Sequence, residues 1–219
     1  MSRHVSTLAA LVLLLAACSD EPEAVRDTGR DESSYSHLPA EGAPIAAGAW
    51  AVQAKGTPGA PLVVLEVPDG LWGASPHVWT NQGRIGYWSP AGVYVDPCAD
   101  SGEAPDAGDS VDDLVQALEA QKLTTTTEPE PVSLGGYDGV YVELSTALAA
   151  ADIARCRDDV LALWGDEAPI LEEPSVERLW ILDVAGKRVV LDLDLGGEAT
   201  DESVRFFTDI VETATFVAD

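Results

Sequence analysis

Apolar and polar residues alternate over much of this chain, in short runs broken by Gly, Pro and Asp, and such period-two patterning predicts strands. Ala49–Lys55 and Leu62–Val67 read as two strands joined by Gly-Thr-Pro-Gly-Ala-Pro, and Val67-Pro68-Asp69-Gly70 is a turn signal. Gly83–Trp88 and Val93–Val95 are short aromatic and β-branched pieces on either side of Ser89-Pro90-Ala91-Gly92. Val132–Leu134 and Val140–Leu144 are strands around Gly135-Gly136-Tyr137-Asp138-Gly139. The clearest pattern is a hairpin over Glu177–Leu195. A two-residue turn at Ala185-Gly186 sets Val184 against Lys187, Leu182 against Val189 and Trp180 against Leu191 on one face. Ile181 then opposes Val190 on the other face, and Asp183 opposes Arg188 as a cross-strand pair of opposite charge. With apolar residues on both faces, this hairpin is expected to be central and covered on each side. Thr213–Val217 is expected to close the chain as a last strand.

Two segments switch to helical spacing. Val111, Leu114, Val115 and Leu118 make one stripe of a helix over residues 111–122, with Ser110 as cap and Asp113 completing a capping box. Val204, Phe207, Ile210 and Val211 make the stripe of a second helix over 201–212, with Thr200 as cap and Asp201 and Glu202 at the positive end of its dipole. Many strands with two separated helices, and no regular βαβ alternation, predict an α+β fold: a largely antiparallel sheet with two amphipathic helices packed on it.

The N-terminus changes the address of this domain. Arg3 and His4 precede an apolar run, Val5–Leu15, of signal-peptide length and too short to span a bilayer. Leu15-Ala16-Ala17-Cys18 follows and resembles the bacterial lipobox, in which the Cys thiol receives a diacylglyceryl group and the peptide is cut just before it. Residues 1–17 are therefore expected to be a lipoprotein signal peptide and Cys18 the lipid-attachment site. Acyl chains there would hold the protein at the extracytoplasmic face of the cell membrane. Residues 18–44 are acidic and poor in large apolar side chains, which predicts a flexible tether. Residues 45–219 are expected to form a single α+β domain.

Charge excludes some partners. Lys and Arg number 12 against 38 Asp and Glu, a formal charge of −26. Such a surface repels phosphate backbones and anionic headgroups, so nucleic acid is not an expected partner and the membrane is reached only through the lipid. With Cys18 spent on lipid, Cys98 and Cys156 are expected to form one disulfide in an exported domain.

Catalytic and metal chemistry is harder to find. There is no Gly-x-Ser-x-Gly elbow, and Ser75 and His77 are close only in sequence. Of three His, His4 lies in the signal and His37 in the tether, so His77 cannot build a zinc site by itself. The acidic loop Asp96–Asp109 offers Asp96, Asp100, Glu103, Asp106 and Asp109 as oxygen ligands, yet their spacing fits no EF-hand. Asp192 and Asp194 share a strand face and could serve as an acid–base pair. Their alternation with Leu191, Leu193 and Leu195 places them on the solvent side of an ordinary strand instead. Trp72, Trp79, Trp88, Trp164 and Trp180 could line a sugar or ligand groove, but core packing is the expectation. No cofactor is expected.

Several blocks occur in a recognisable order: Val67-Pro68-Asp69-Gly70, Ile85-Gly86-Tyr87-Trp88, Val95-Asp96-Pro97-Cys98, Ser110–Val115, Leu134–Gly139, Tyr141–Leu144 and Arg178–Val184. Over about residues 61–219 this resembles a family of uncharacterised extracytoplasmic domains from actinobacteria, found behind lipoboxes or single membrane spans. The chain departs from it at Gly70-Leu71-Trp72, where an aromatic directly after the Gly would be expected. The ending, Ile210-Val211 through Phe216, also resembles that of PsbP-like α+β domains. The resemblance brings no functional residues. The expected function is a noncatalytic binding or accessory module of the cell envelope, recognising an envelope protein or ligand that the sequence does not identify. The alternatives are an envelope-polymer hydrolase built from scattered acidic residues, or a calcium-responsive module using the 96–109 loop.

Overall fold

A computed structural model describes residues 34–99, 102–146, 148–164, 170–171, 175–196 and 199–218. The signal peptide, Cys18 and the first part of the tether lie outside the described residues. The strands up to the acidic loop are β1 (Ser36–His37), β2 (Ala43–Ile45), β3 (Gly48–Val52), β4 (Lys55–Gly56), β5 (Leu62–Val67), β6 (Leu71–Ala74), β7 (His77–Thr80) and β8 (Gly83–Ser89). Then come α1 (Val111–Glu119), β9 (Thr124–Thr126), β10 (Glu130–Leu134), β11 (Tyr137–Thr146) and the short α2 (Ala150–Ile153). The chain continues with β12 (Leu161–Ala162), β13 (Ile170–Leu171), β14 (Val176–Val184), β15 (Lys187–Asp194), α3 (Asp201–Val211) and β16 (Thr215–Val217). The folded part begins earlier than the sequence suggests, because Tyr35 is buried, β1 falls in the stretch read as tether and β2 starts there.

The fold is α+β and its pairings are antiparallel except β1 with β3 and β4 with β8. A ten-stranded sheet runs β10-β11-β14-β15-β8-β7-β6-β2, with β4 on β8 and β9 on β11. A four-stranded sheet runs β1-β3-β5-β16. The β14–β15 hairpin has the register read from the sequence, from Val184 opposite Lys187 to Trp180 opposite Leu191. Ala185 and Gly186 both have positive φ, as the tight hairpin turn requires.

This hairpin lies at the centre of the large sheet, and both its faces are covered. On one face Trp180, Leu182, Val189 and Leu191 pack with Val63 and Leu65 of the small sheet and with Phe207, Ile210 and Val211 of α3. On the other face Leu179, Ile181 and Val190 pack with Leu114, Val115 and Leu118 of α1 and with Ile153, Leu161 and Trp164. Both long helices start as expected, with capping boxes on Ser110–Asp113 and Thr200–Ser203. Cys98 and Cys156 form the disulfide, with Cα atoms 4.5 Å apart. It fastens the chain after β8 to the segment that covers the second core, where Arg157 N donates to Cys98 O and Ala162 N to Pro97 O.

One expected contact is not made. Asp183 and Arg188 are opposite in register but do not pair as ions. Arg188 turns inward and donates to the carbonyls of Pro90, Ala107 and Ser110, while Asp183 Oδ1 accepts from Gly186 N in the turn. A buried guanidinium gains more from three fixed carbonyls than from one exposed carboxylate.

Candidate functional site

The α1 side of the large sheet is covered over β11, β14 and part of β15, but its β2–β6–β7 edge is more open. Two rows of residues cross this face. One runs Trp72, Trp79, Arg84, Asp194 and Glu177 across β6, β7, β8, β15 and β14, each directly opposite the next. The other runs Ala74, His77, Gly86, Asp192 and Leu179. Directly opposed residues share a face, so the rows bring the acidic residues of the hairpin together with aromatic residues of β6 and β7.

At the covered end sits a carboxyl pair that the sequence reading missed. Asp192, expected on a solvent-facing side, is 0% exposed, and so is Glu177. Asp192 Oδ1 accepts from Trp88 Nε1 at 2.8 Å. Gly86 makes that bond possible, since a Cβ there would collide with both Asp192 Oδ1 and Trp88 Nε1. Arg84 lies 4.0 Å from Asp192 Oδ2 and 3.4 Å from Asp194 Oδ2. Among the described residues no hydrogen-bond partner reaches the Glu177 carboxyl oxygens or Asp192 Oδ2, and a proton on Glu177 would give it a donor toward Asp192. Burial, then the charges of Asp192 and Asp194, push the Glu177 pKa well above the carboxylate range despite Arg84. Burial also raises Asp192, against the opposing pull of Arg84 and Trp88.

Stability should report this proton directly. A group protonated when folded but ionised when unfolded stabilises fully below its unfolded pKa, near 4.3 for Glu, and that contribution is lost as pH rises toward the folded value. His77 works in the opposite sense: burial first, then Arg84 and Lys55, lower its pKa to about 4. Its contribution is full above an unfolded pKa near 6.5 and is lost on acidification, so it adds no slope at higher pH. Glu177→Gln is therefore expected to remove a decline of up to about 1.4 kcal/mol per pH unit that begins above the unfolded Glu pKa near 4.3 and ends where folded Glu177 ionises, the His77 slope being common to both proteins. Urea unfolding of both proteins across that range measures it, and parallel slopes would place the proton elsewhere.

At the open end the side chains are accessible. Trp72 is 45% exposed and Trp79 half-buried, so these two depart from the expected core packing, which Trp88, Trp164 and Trp180 obey. The Trp79 ring reaches across β6 toward Gly42, where an added Cβ would sit 3.2 Å from its Cζ2 and Cη2. Beside it is a cleft of about 480 Å³, lined by His77, Trp79, Asn81, Gln82, Arg84 and Asp194. Asp194 thus links the cleft to the sealed Glu177–Asp192 pair. A larger cleft of about 920 Å³ lies between the hairpin turn and the acidic loop, bordered by Lys55, Trp88, Asp106, Trp164, Lys187 and Arg188. Its aromatic walls offer little surface, with Trp88 and Trp164 at 3% and 4% exposure, and the terminal nitrogens of Arg188 are occupied by carbonyls.

The acidic loop uses several of its carboxylates locally. Asp96 Oδ1 accepts from the backbone N–H groups of Cys98 and Ala99, and its other oxygen pairs with Lys122 at 3.6 Å. Asp106 Oδ1 accepts from Gly108 N, while Asp100 lies outside the described residues. Among the described residues no three His, Cys, Asp or Glu side chains gather as a metal site would need. Nor is any helix among them long and apolar enough to cross a membrane. Compared with protein-family models, curated proteins and solved structures, the chain matches none.

Proposed function

We propose that this chain is a noncatalytic binding module of the cell envelope, carried on a lipid-modified Cys18 at the extracytoplasmic face of the membrane, with its binding site on the open end of the large sheet. The observation that carries the site is the exposed Trp72 in register with Trp79, beside a cleft that ends in Arg84 and Asp194. Exposed aromatic surface of this kind, rimmed by polar groups, marks recognition sites. The carboxyl arrangement favours binding over hydrolysis. Paired carboxylates that cleave a glycosidic bond stand about 5 Å or more apart and flank it. Glu177 and Asp192 are instead both closed to solvent, so no substrate bond can lie between them.

Two measurements test this reading. Wild-type protein is expected in the membrane fraction, and Cys18→Ala in unprocessed or shed form; a Cys18→Ala protein that still partitions into detergent as a mature product would remove the anchor. Purified mature chain is expected to co-sediment with delipidated envelope, and the Trp72→Ala/Trp79→Ala double variant to stay in the supernatant. Equal sedimentation of both proteins would remove the site.

A further inference from the structure

We propose that the row from Trp72 to Asp194 binds an uncharged glycan, with pyranose rings stacked on the two indoles and hydroxyls held by the polar residues at the cleft end. This deepens the binding reading above and rests on it. Four strands contribute to the row, and strands lie about 4.8 Å apart, so Trp72 to Asp194 spans about 14 Å, the reach of a short oligosaccharide. The surface is a strip one residue wide rather than a broad apolar patch. A stable protein interface needs about 800 Å² on each partner, whereas a cleft of about 480 Å³ lies in the small-ligand range.

The polar end suits hydroxyls. Arg84 donates and Asp194 accepts, held together at 3.4 Å, while Gly196 N fixes the other Asp194 oxygen at 2.8 Å. The exposed Asn81 and Gln82 amides at the β7–β8 turn offer both donors and acceptors to the same cleft. Neighbouring hydroxyls of a sugar need such adjacent donors and acceptors, and a fixed pair loses less freedom on binding than two mobile side chains. Charge then selects among glycans. Arg84 and Asp194 cancel within the cleft, and the chain as a whole carries −26, so phosphate- or uronate-bearing polymers meet repulsion without a compensating cationic surface.

Calorimetry and tryptophan fluorescence with the mature chain decide the matter, using soluble oligosaccharides of N-acetylglucosamine, of glucose and of galactose, with a uronic-acid oligomer beside them. At least one neutral oligosaccharide should bind, with little dependence on salt, and the uronic-acid oligomer more weakly. Trp72→Ala and Trp79→Ala should each weaken binding by about tenfold or more, and Trp72→Phe, which keeps a ring, should retain most of it. Because Trp72 is exposed, its variants should melt like wild type, which separates lost binding from lost fold. Binding unchanged in both Trp→Ala variants overturns the proposal, as does tighter binding of the uronic-acid oligomer. So does the absence of binding to every neutral oligosaccharide. If the double variant nevertheless fails to sediment with envelope, the face still binds and only the glycan is lost; if it sediments like wild type, the face itself is wrong.

Discussion

Phe207→Ala is expected to destabilise the domain by about 3–5 kcal/mol, and Trp180→Ala by a similar amount. Phe207 is fully buried between α3 and the large sheet, close enough to Gly83 that a Cβ there would meet the ring at 2.9 Å. Trp180 sits beneath the same helix in the first core and packs against Tyr141 with ring centroids 5.1 Å apart. Losing either ring leaves a cavity in a core whose other walls are strands and cannot collapse freely. For a domain of this size the effect should lower the melting temperature by about 10 °C or more. Asp183→Ala is the matched control: its carboxylate bonds only its own turn, at Gly186 N, and should cost under about 1 kcal/mol. A Trp180→Ala protein that melts like wild type, alongside an unfolded Asp183→Ala protein, would mean a register shifted by one residue.

Removing the Cys98–Cys156 bridge should cost a comparable amount, about 4 kcal/mol in the chain-entropy account for a closure of 58 residues. The loss should concentrate in the second core, because the bridge holds Ile153, Leu161 and Trp164 against the sheet face opposite α3. Cys98→Ser/Cys156→Ser, or wild type in reductant, should melt earlier and expose the amides of the 153–163 segment to hydrogen exchange before those of α3. Non-reducing mass spectrometry of wild type should find the two peptides joined. Free thiols at both positions in protein from the envelope, or equal melting with and without reductant, would contradict this.

What the sequence revealed and concealed follows from the range of the interactions. The hairpin was legible because its register depends on a turn and on alternation within a single stretch, Trp180 to Leu191. The helix caps were legible for the same reason, each closing within four residues. Asp192 was not. In Leu191-Asp192-Leu193-Asp194, a solvent-facing carboxylate and a buried protonated pair give the same alternation. Only the pairing of β15 with β8, over a hundred residues earlier in the chain, supplies Trp88 Nε1 and the gap at Gly86 that accept the acid inside. Arg188 was misplaced for a similar reason: its carbonyl partners at Pro90, Ala107 and Ser110 are remote in sequence.

Trp72 and Trp79 are a different case, because the signal was present and the default for aromatic residues overrode it. Leu71, Gly73 and Val78 point into the first core, so strict alternation sends Trp72 and Trp79 to the other face. Applying the period to Leu71-Trp72-Gly73-Ala74 and His77-Val78-Trp79-Thr80 would have found them, and with them the strands β6 and β7.

The central claim is that the open end of the large sheet is where this protein meets its ligand, and photocrosslinking in intact cells tests it most directly. A benzophenone side chain is placed at Gln82, beside the Trp79 cleft, and in separate proteins at Lys187, on the larger cleft, and at Asp209, on α3. The expected result is an ultraviolet-dependent adduct from Gln82 that disappears in the Trp72→Ala/Trp79→Ala background, with none from Asp209. An adduct from Lys187 with none from Gln82 would move recognition to the cleft beside the acidic loop and contradict the claim.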